Sequence, residues 1–361
     1  MNTLQKYLFR EWLGSFLAIS IVMLFVVIIT YAGDLFSDVA RGNIPASLLG
    51  KQLLLRIPDA LQLILPLAMF IAVMFSLGRM YRDQEMAVMY ACGFRWNEML
   101  RPLVVLSFPL AALLLANSFL LGPKSQVMSG EMLDQAFRQS AIWGLRAGDF
   151  QTLQDGRMVI YAESINSSGD ELTNVFIHLN IQSSDKSNRE QTWTARTGHY
   201  RFDEDTGNRY IRLISGQVTE QIEDTGEYRR IQFEAGDLRL PEQEQDKQAD
   251  SIGSLSTAEL LGSGTSLEIA ELHWRMSPAV AIILLSLLAL PLAHSTPRDG
   301  RYGRLIMGLL VYVVYVNLLT LGRVWTGNGS LPAWLGLWWV HASLLLLVCA
   351  WTLVHLRRSG G

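Results

Sequence analysis

The residue types that carry most enzyme chemistry are sparse in this chain, whose 361 residues include 6 histidines and 2 cysteines. His273, His294, His341 and His355 fall at or near the ends of apolar runs or inside the last one, where packing or an interfacial role fits better than catalysis. Cys92 and Cys349 lie far apart and the polar middle of the chain has no cysteine, so neither a disulfide framework nor a thiolate metal site is expected. The phosphate-cradling GxxxxGK[ST] loop, GxGxxG, HExxH and the GxSxG elbow are all missing, which removes the sequence basis for an ATPase, dehydrogenase, metalloprotease or esterase. The acidic stretch "DEDTGN" at 203 to 208 is too short for a calcium loop and lacks its closing glutamate, so it reads as a hairpin turn. No catalytic residue and no metal ligand is assigned.

The elements that must position the remaining candidates are set by a bilayer. The chain is 50% hydrophobic and 17% charged with net charge -3, a balance that points to neither nucleic acid nor an acidic partner. Apolar runs occur at Leu13 to Ala32, Ile57 to Leu77, Pro102 to Leu121, Met276 to Ala293, Leu305 to Leu321 and Trp334 to Val354, and the acid Asp59 lies at the edge of the second. About 20 helical residues cover the roughly 30 Å of a bilayer core, so six spans are expected. With both termini inside, eleven lysines and arginines near span ends lie on the cytoplasmic side and six outside, which favours that orientation. "TYAGDLFSD" after the first run is bulky and acidic rather than a cleavage site, so that run is kept as a helix. Mid-span acids and bases are missing, which argues against an ion-coupled transporter. Gln62, Asn117 and Asn317 are expected to bond between helices.

Between the third and fourth spans, short β-rich segments from "RMVIYAES" to "RRIQF" alternate with turn signals, predicting an all-β sandwich or jelly roll. Its inward residues are expected to include Val159, Tyr161, Val175, Ile177 and Leu213, forming either a slot for acyl chains or a closed core. A polar linker, 241 to 256, follows. Thr265 and Glu268 then form a capping box that starts a helix running into the fourth span. On the inner side, "RDQEMAVMYACG" is a helix former stopped by Gly93, with Met86, Met89 and Tyr90 at i, i+3 and i+4 beside Asp83 and Glu85. This apolar stripe suits docking on another protein or rest on lipid headgroups, and the two readings stand equally.

"YRDQEMAVMYACGF", "LILPLAMF", "AELHWR" and "TPRDGR", together with the order of three spans, β domain and three spans, resemble the lipopolysaccharide export permease family LptF/LptG over essentially the whole chain. The "VMYACGF" and "AELHWR" forms are closer to the LptF branch, with LptG as the alternative. The resemblance implies a polytopic α-helical membrane protein with six transmembrane helices and a periplasmic all-β, jelly-roll-like domain inserted between helices 3 and 4. The divisions would be 1–122, 123–264 and 265–361. It implies an inner-membrane permease subunit, not itself an enzyme, with both termini cytoplasmic. The expected partners are LptG, a dimer of the ATPase LptB that uses ATP and Mg, LptC, the bridge protein LptA, lipopolysaccharide and membrane lipid.

The resemblance also implies that a coupling helix at about 82–94 meets the ATPase through Arg82, Asp83, Glu85, Met86, Met89, Tyr90, Gly93 and Phe94. Helices 1 and 5 would gate a lipid cavity, with Leu309, Tyr312 and Tyr315 as lining candidates and Arg323 as a rim cation for phosphate. Where relatives carry basic residues at the outer end of helix 1, this chain has Tyr31 and Asp34. A contrasting expectation is a membrane-anchored sensor or scaffold whose β domain signals to the inner loop.

Overall fold

The computed structural model describes residues 1–361 except 41–43, 45, 140–146, 154–157, 167–170, 183–187, 203–208, 223–226, 241–251, 295–302 and 360–361. The acidic turn at 203–208, "TPRDGR" and most of the polar linker therefore lie outside the described residues. Contacts divide the chain into two units: 1–32, 53–128 and 248–361 form one, and 33–52 and 129–247 the other.

Helices run over Thr3–Ala40 (α1), Leu49–Leu55 (α2), Ile57–Arg82 (α3), Glu85–Ala91 (α4), Leu100–Ala116 (α5), Gly122–Gln139 (α6), Thr257–Ser263 (α7), Ser266–Leu292 (α8), Gly303–Gly327 (α9) and Trp338–Ser359 (α10). Among the described residues five helical stretches are long and apolar enough to cross a membrane: Thr3–Ala40, Ile57–Arg82, Trp96–Leu133, Ser266–Leu292 and Gly303–Gly327. The sixth expected run appears as a shorter apolar helix over Trp338–Leu353. Its first residues are spent in turns, where Pro332 accepts backbone bonds from Leu335 and Gly336 and Gly336 takes a φ of 40°. Only from Trp338 can a regular helix run.

In the helical unit α3 and α8 form the centre, with 67% and 72% of their most apolar windows buried, against 6% for α1 and 28% for α9. Ala60, Ala68 and Ala72 on α3 and Ala281 and Ala289 on α8 are buried, and such small side chains let packed helices approach closely. The amides behave differently from one another. Asn117 Nδ2 donates to the Pro58 carbonyl (2.8 Å) and Ser118 Oγ to Gln62 Oε1 (3.3 Å), tying the π-helical turn Asn117–Leu121 to α3. Asn317 instead bonds back to Val313 of its own helix. Thr265 caps α8 through the predicted box, accepting from the Glu268 amide.

The second unit contains a six-stranded antiparallel meander: Gln151–Leu153 (β1), Met158–Ile165 (β2), Glu171–Gln182 (β3), Asn188–Phe202 (β4), Arg209–Ile222 (β5) and Glu227–Leu240 (β6), paired in chain order. The two segments read as separate strands at 190–195 and 198–202 are one long strand. Pairing runs on both sides of, but skips, a row formed by Glu163, Asn174, Arg196, Ser215 and Glu234. This row is a crease across five strands, and Asn174 (φ 48°) and Ser215 (φ 53°) take left-handed backbone there. The alternation of buried side chains shifts at the crease: Ala162 is followed on the inner face by Ile165, Leu172 by Val175, and Ala195 by Gly198. One apolar cluster, including Met158, Ile160, Ile177, Ile211, Leu213 and Leu238, therefore continues across it.

Candidate functional site

The segment between α3 and α5, the expected inner element, is built by two breaks in helix geometry. α3 runs to Arg82, Gln84 takes a φ of 62° and ends any continuation, and α4 is only Glu85–Ala91. Gly93 (φ 83°) closes it, with the Gly93 and Phe94 amides donating to the Tyr90 and Met89 carbonyls. The helix expected over 82–94 is thus one short turn-bounded piece. Its methionine stripe also faces inward: Met86 is fully buried, and Met89 and Phe94 are 5% and 3% exposed within the core of this chain. The solvent-facing side is Ala87, Val88, Tyr90, Ala91, Cys92 and Gly93. Placing those methionines at a docking surface is corrected by this packing, because burial of each in its own core contributes about 1.5–3 kcal/mol.

Charged groups rim the element. Arg82 pairs with Asp83 (3.3 Å), Glu85 accepts the Tyr7 hydroxyl (2.8 Å), and the Tyr81 and Tyr90 hydroxyls meet at 2.9 Å. Partial burial raises the Tyr90 phenol above its ordinary range, so it is neutral at physiological pH. Tyr7 of α1 reaches this element, Glu11 and Gln5 reach Arg79 and Glu98 on either side of it, and none of the three carries a local sequence signal, since their partners lie far along the chain.

Near the start of α8, "AELHWR" becomes an ion cluster. Arg275 is 3% exposed and its guanidinium donates to Glu271 Oε1 (3.0 Å), Thr257 Oγ1 (3.2 Å) and the Gly253 (2.8 Å) and Leu255 (2.9 Å) carbonyls. Arg323 donates to the other oxygen of Glu271 (2.7 Å) and lies over the Trp274 ring at 4.9 Å. The expected rim cation is therefore half-exposed and already held by a carboxylate. Arg56 lies over the Tyr31 ring at 5.6 Å, which puts a cation beside the last third of α1.

On α9 the three lining candidates part company. Leu309 is 45% exposed, while Tyr312 and Tyr315 are buried. Tyr315 O–H meets His341 Nδ1 at 2.8 Å, and His341 Nε2 lies 3.1 Å from Ser277 Oγ, a network that locks α8, α9 and α10 together. Tyr315 serves packing.

In the sheet, Val175, Ile177 and Leu213 lie on the buried face as expected. Val159 and Tyr161 do not, because Ile160 is the residue opposite Ile177. Tyr161 and Phe176 instead line a cleft of about 830 Å³ on the other side, together with crease residues Asn174, Arg196, Ser215 and Glu234. Phe150 stacks on Tyr161 with ring centroids 4.7 Å apart. Among the described residues no cluster of three or more histidine, cysteine or acidic side chains could hold a metal.

The family model for the lipopolysaccharide export system permease LptF/LptG matches residues 6–355. The LptF permease of Escherichia coli K12 is 27% identical over 98% of this chain and 96% of its own length, and that of Shigella flexneri matches to the same extent. The LptG permease of Escherichia coli K12 is 23% identical over 45% of each chain.

Proposed function

We propose, since the chain belongs to the lipopolysaccharide export system permease family LptF/LptG, that it is the LptF-type membrane half of an ATP-driven exporter. It sits in the bacterial inner membrane with six spans, both termini cytoplasmic and the sheet unit in the periplasm as a jelly-roll conduit. It pairs with LptG and is driven by an LptB dimer, which supplies the ATP and Mg chemistry for which this sequence has no loop. Lipopolysaccharide enters between the two permeases, and its acyl chains pass along the apolar face of the sheet toward LptC and LptA. Leu309, with its exposed neighbours Ile306, Leu310 and Val313, lines the cavity; Tyr312 and Tyr315 support it from behind.

The observation that carries this reading is the bareness of α1 and α9. Both are apolar enough to span a membrane, yet most of their surface is uncovered in the single chain, including Ile21, Val22, Phe25 and Val26 on α1 and Ile306, Leu310 and Val313 on α9. Two uncovered apolar helices suit a lipid path closed by a second permease.

The test is photo-crosslinking from positions 306, 309, 310 and 313 of the chain in its native membrane, combined with purification of whatever binds it. Adducts to lipopolysaccharide and retention of an ATPase that Glu85→Lys releases are expected. Absence of adducts at all four positions, or a stable complex with no ATPase, would overturn the proposal and favour a sensor.

A further inference from the structure

The first third of α1 is joined by three polar bridges around a buried apolar seat, one to the inner element itself and two to the residues flanking it, Arg79 and Glu98. Tyr7 O–H donates to Glu85 Oε2 (2.8 Å), Arg79 donates to Glu11 Oε2 (2.7 Å), and Gln5 Nε2 donates to the Glu98 carbonyl (3.4 Å). Leu8 and Trp12 are fully buried and Phe16 is 4% exposed, all three in the core that also holds Met80, Met86 and Met89. Tyr7 and Glu11 are four apart, as are Leu8 and Trp12, so adjoining strips of one helix supply the bridges and the seat. Beyond Phe16 one side of the helix is bare, with Leu17, Ile21, Val22, Phe25, Val26 and Ile29 each half exposed or more, while Ile19, Met23, Leu24 and Val27 keep the other side against the core.

A helix seated in the core over its first turns and covered on only one side beyond them can act as a lever. At 1.5 Å per residue, about 7 Å of helix separates Tyr7 from Trp12 and about 25 Å separates Trp12 from Ile29. If α1 turns on Trp12, a displacement of about 1 Å imposed at Tyr7 carries Ile29 through about 3 Å.

We infer that Tyr7 and Glu11 are positioning residues that transmit movement of the ATPase-facing element into α1. This rests on the proposed reading of the Arg82 to Phe94 segment as the docking element. Glu85 is suited to the relay because Tyr7 takes one carboxylate oxygen and leaves Oε1 without a hydrogen-bond partner among the described residues. A cation of a docked partner can take Oε1 while Tyr7 keeps Oε2, so docking and transmission use different atoms. Arg79, at the last turn of α3, holds Glu11 one helical turn further along and prevents α1 from slipping along its own axis.

The test uses the whole permease complex with its ATPase, reconstituted in vesicles holding lipopolysaccharide, comparing wild type with Tyr7→Phe, Glu11→Gln and the double variant. The double variant is expected to retain the ATPase and its hydrolysis while lipopolysaccharide released per ATP falls about five-fold or more. Spin labels at positions 22 and 75, the latter exposed on α3 outside the docking element, in a chain with Cys92 and Cys349 replaced, should change separation with nucleotide in wild type and not in the double variant. Exchanging the charges, Glu11→Arg with Arg79→Glu, should restore part of the transfer ratio. The inference is overturned if the double variant keeps both the ratio and the distance change, or if it loses the ATPase outright. A wild-type complex that holds no ATPase defeats the reading of the docking element first, and this inference with it.

Discussion

Removing the carboxylate of Glu271 tests whether the ion cluster at the head of α8 holds the helical unit together. Glu271 and Arg275 have side chains 7% and 3% exposed, while that of Arg323 is 38% exposed. Glu271→Gln keeps size and shape but leaves the Arg275 guanidinium buried without its counter-charge. Losing one member of a buried pair costs about 3–5 kcal/mol. Arg275 retains its bonds to Thr257 and to the Gly253 and Leu255 carbonyls, so a value near the low end, about 3 kcal/mol, is expected. Arg323→Gln leaves the buried pair intact and removes a partner that water already reaches, so it should cost about 1 kcal/mol or less. Thermal unfolding of the detergent-purified chain should therefore rank Glu271→Gln and Arg275→Gln well below Arg323→Gln, with Arg323→Gln near wild type. The double variant Glu271→Gln with Arg275→Gln should lose less than the sum of the two, since their energies are coupled. If Arg323→Gln proves as damaging as Glu271→Gln, or the double variant is additive, the cluster is not the buried clasp described here.

Met86→Ala or Met89→Ala should destabilise the chain by about 2–5 kcal/mol, whereas Val88→Ser on the exposed side should leave unfolding unchanged and weaken retention of the ATPase instead. In the sheet, Gly216→Ala would place a Cβ 2.5 Å from the Thr194 carbonyl and 2.6 Å from the Phe233 ring, so a loss of about 1–3 kcal/mol is expected in denaturant unfolding. Glu259 caps α7 through Ser256, and that bond holds its carboxyl below the ordinary glutamate range. A lowered folded value means the contribution is present above pH 4.5 and is lost as pH falls through the folded value. Hydrogen-exchange protection factors in residues 257–263 should fall on acidification, and Glu259→Gln should remove that dependence.

Five long apolar helices were legible because a bilayer core tolerates no long polar interruption, and the cap at Thr265 because its box is local. What sequence could not give was the sense of a face. Met86 and Met89 form a stripe whether it turns toward a partner or toward the core, and only the packing of α1 and α3 around it decides. Val159 and Tyr161 were misplaced for a related reason. Alternation counted along one strand has no absolute origin, and the crease resets it in the middle of each of the five strands it crosses. The joint of α1 with the inner element was invisible because Tyr7 and Glu85 are brought together by helices that the sequence does not align.

The crease has a mechanical meaning for the sheet. Ladder pairs lie on either side of Glu163, Asn174, Arg196, Ser215 and Glu234, so a bend about that line, like that of a book about its spine, breaks none of them. The strain is confined to backbone torsions in one row, and the printed page on either side, its interstrand bonds, stays whole.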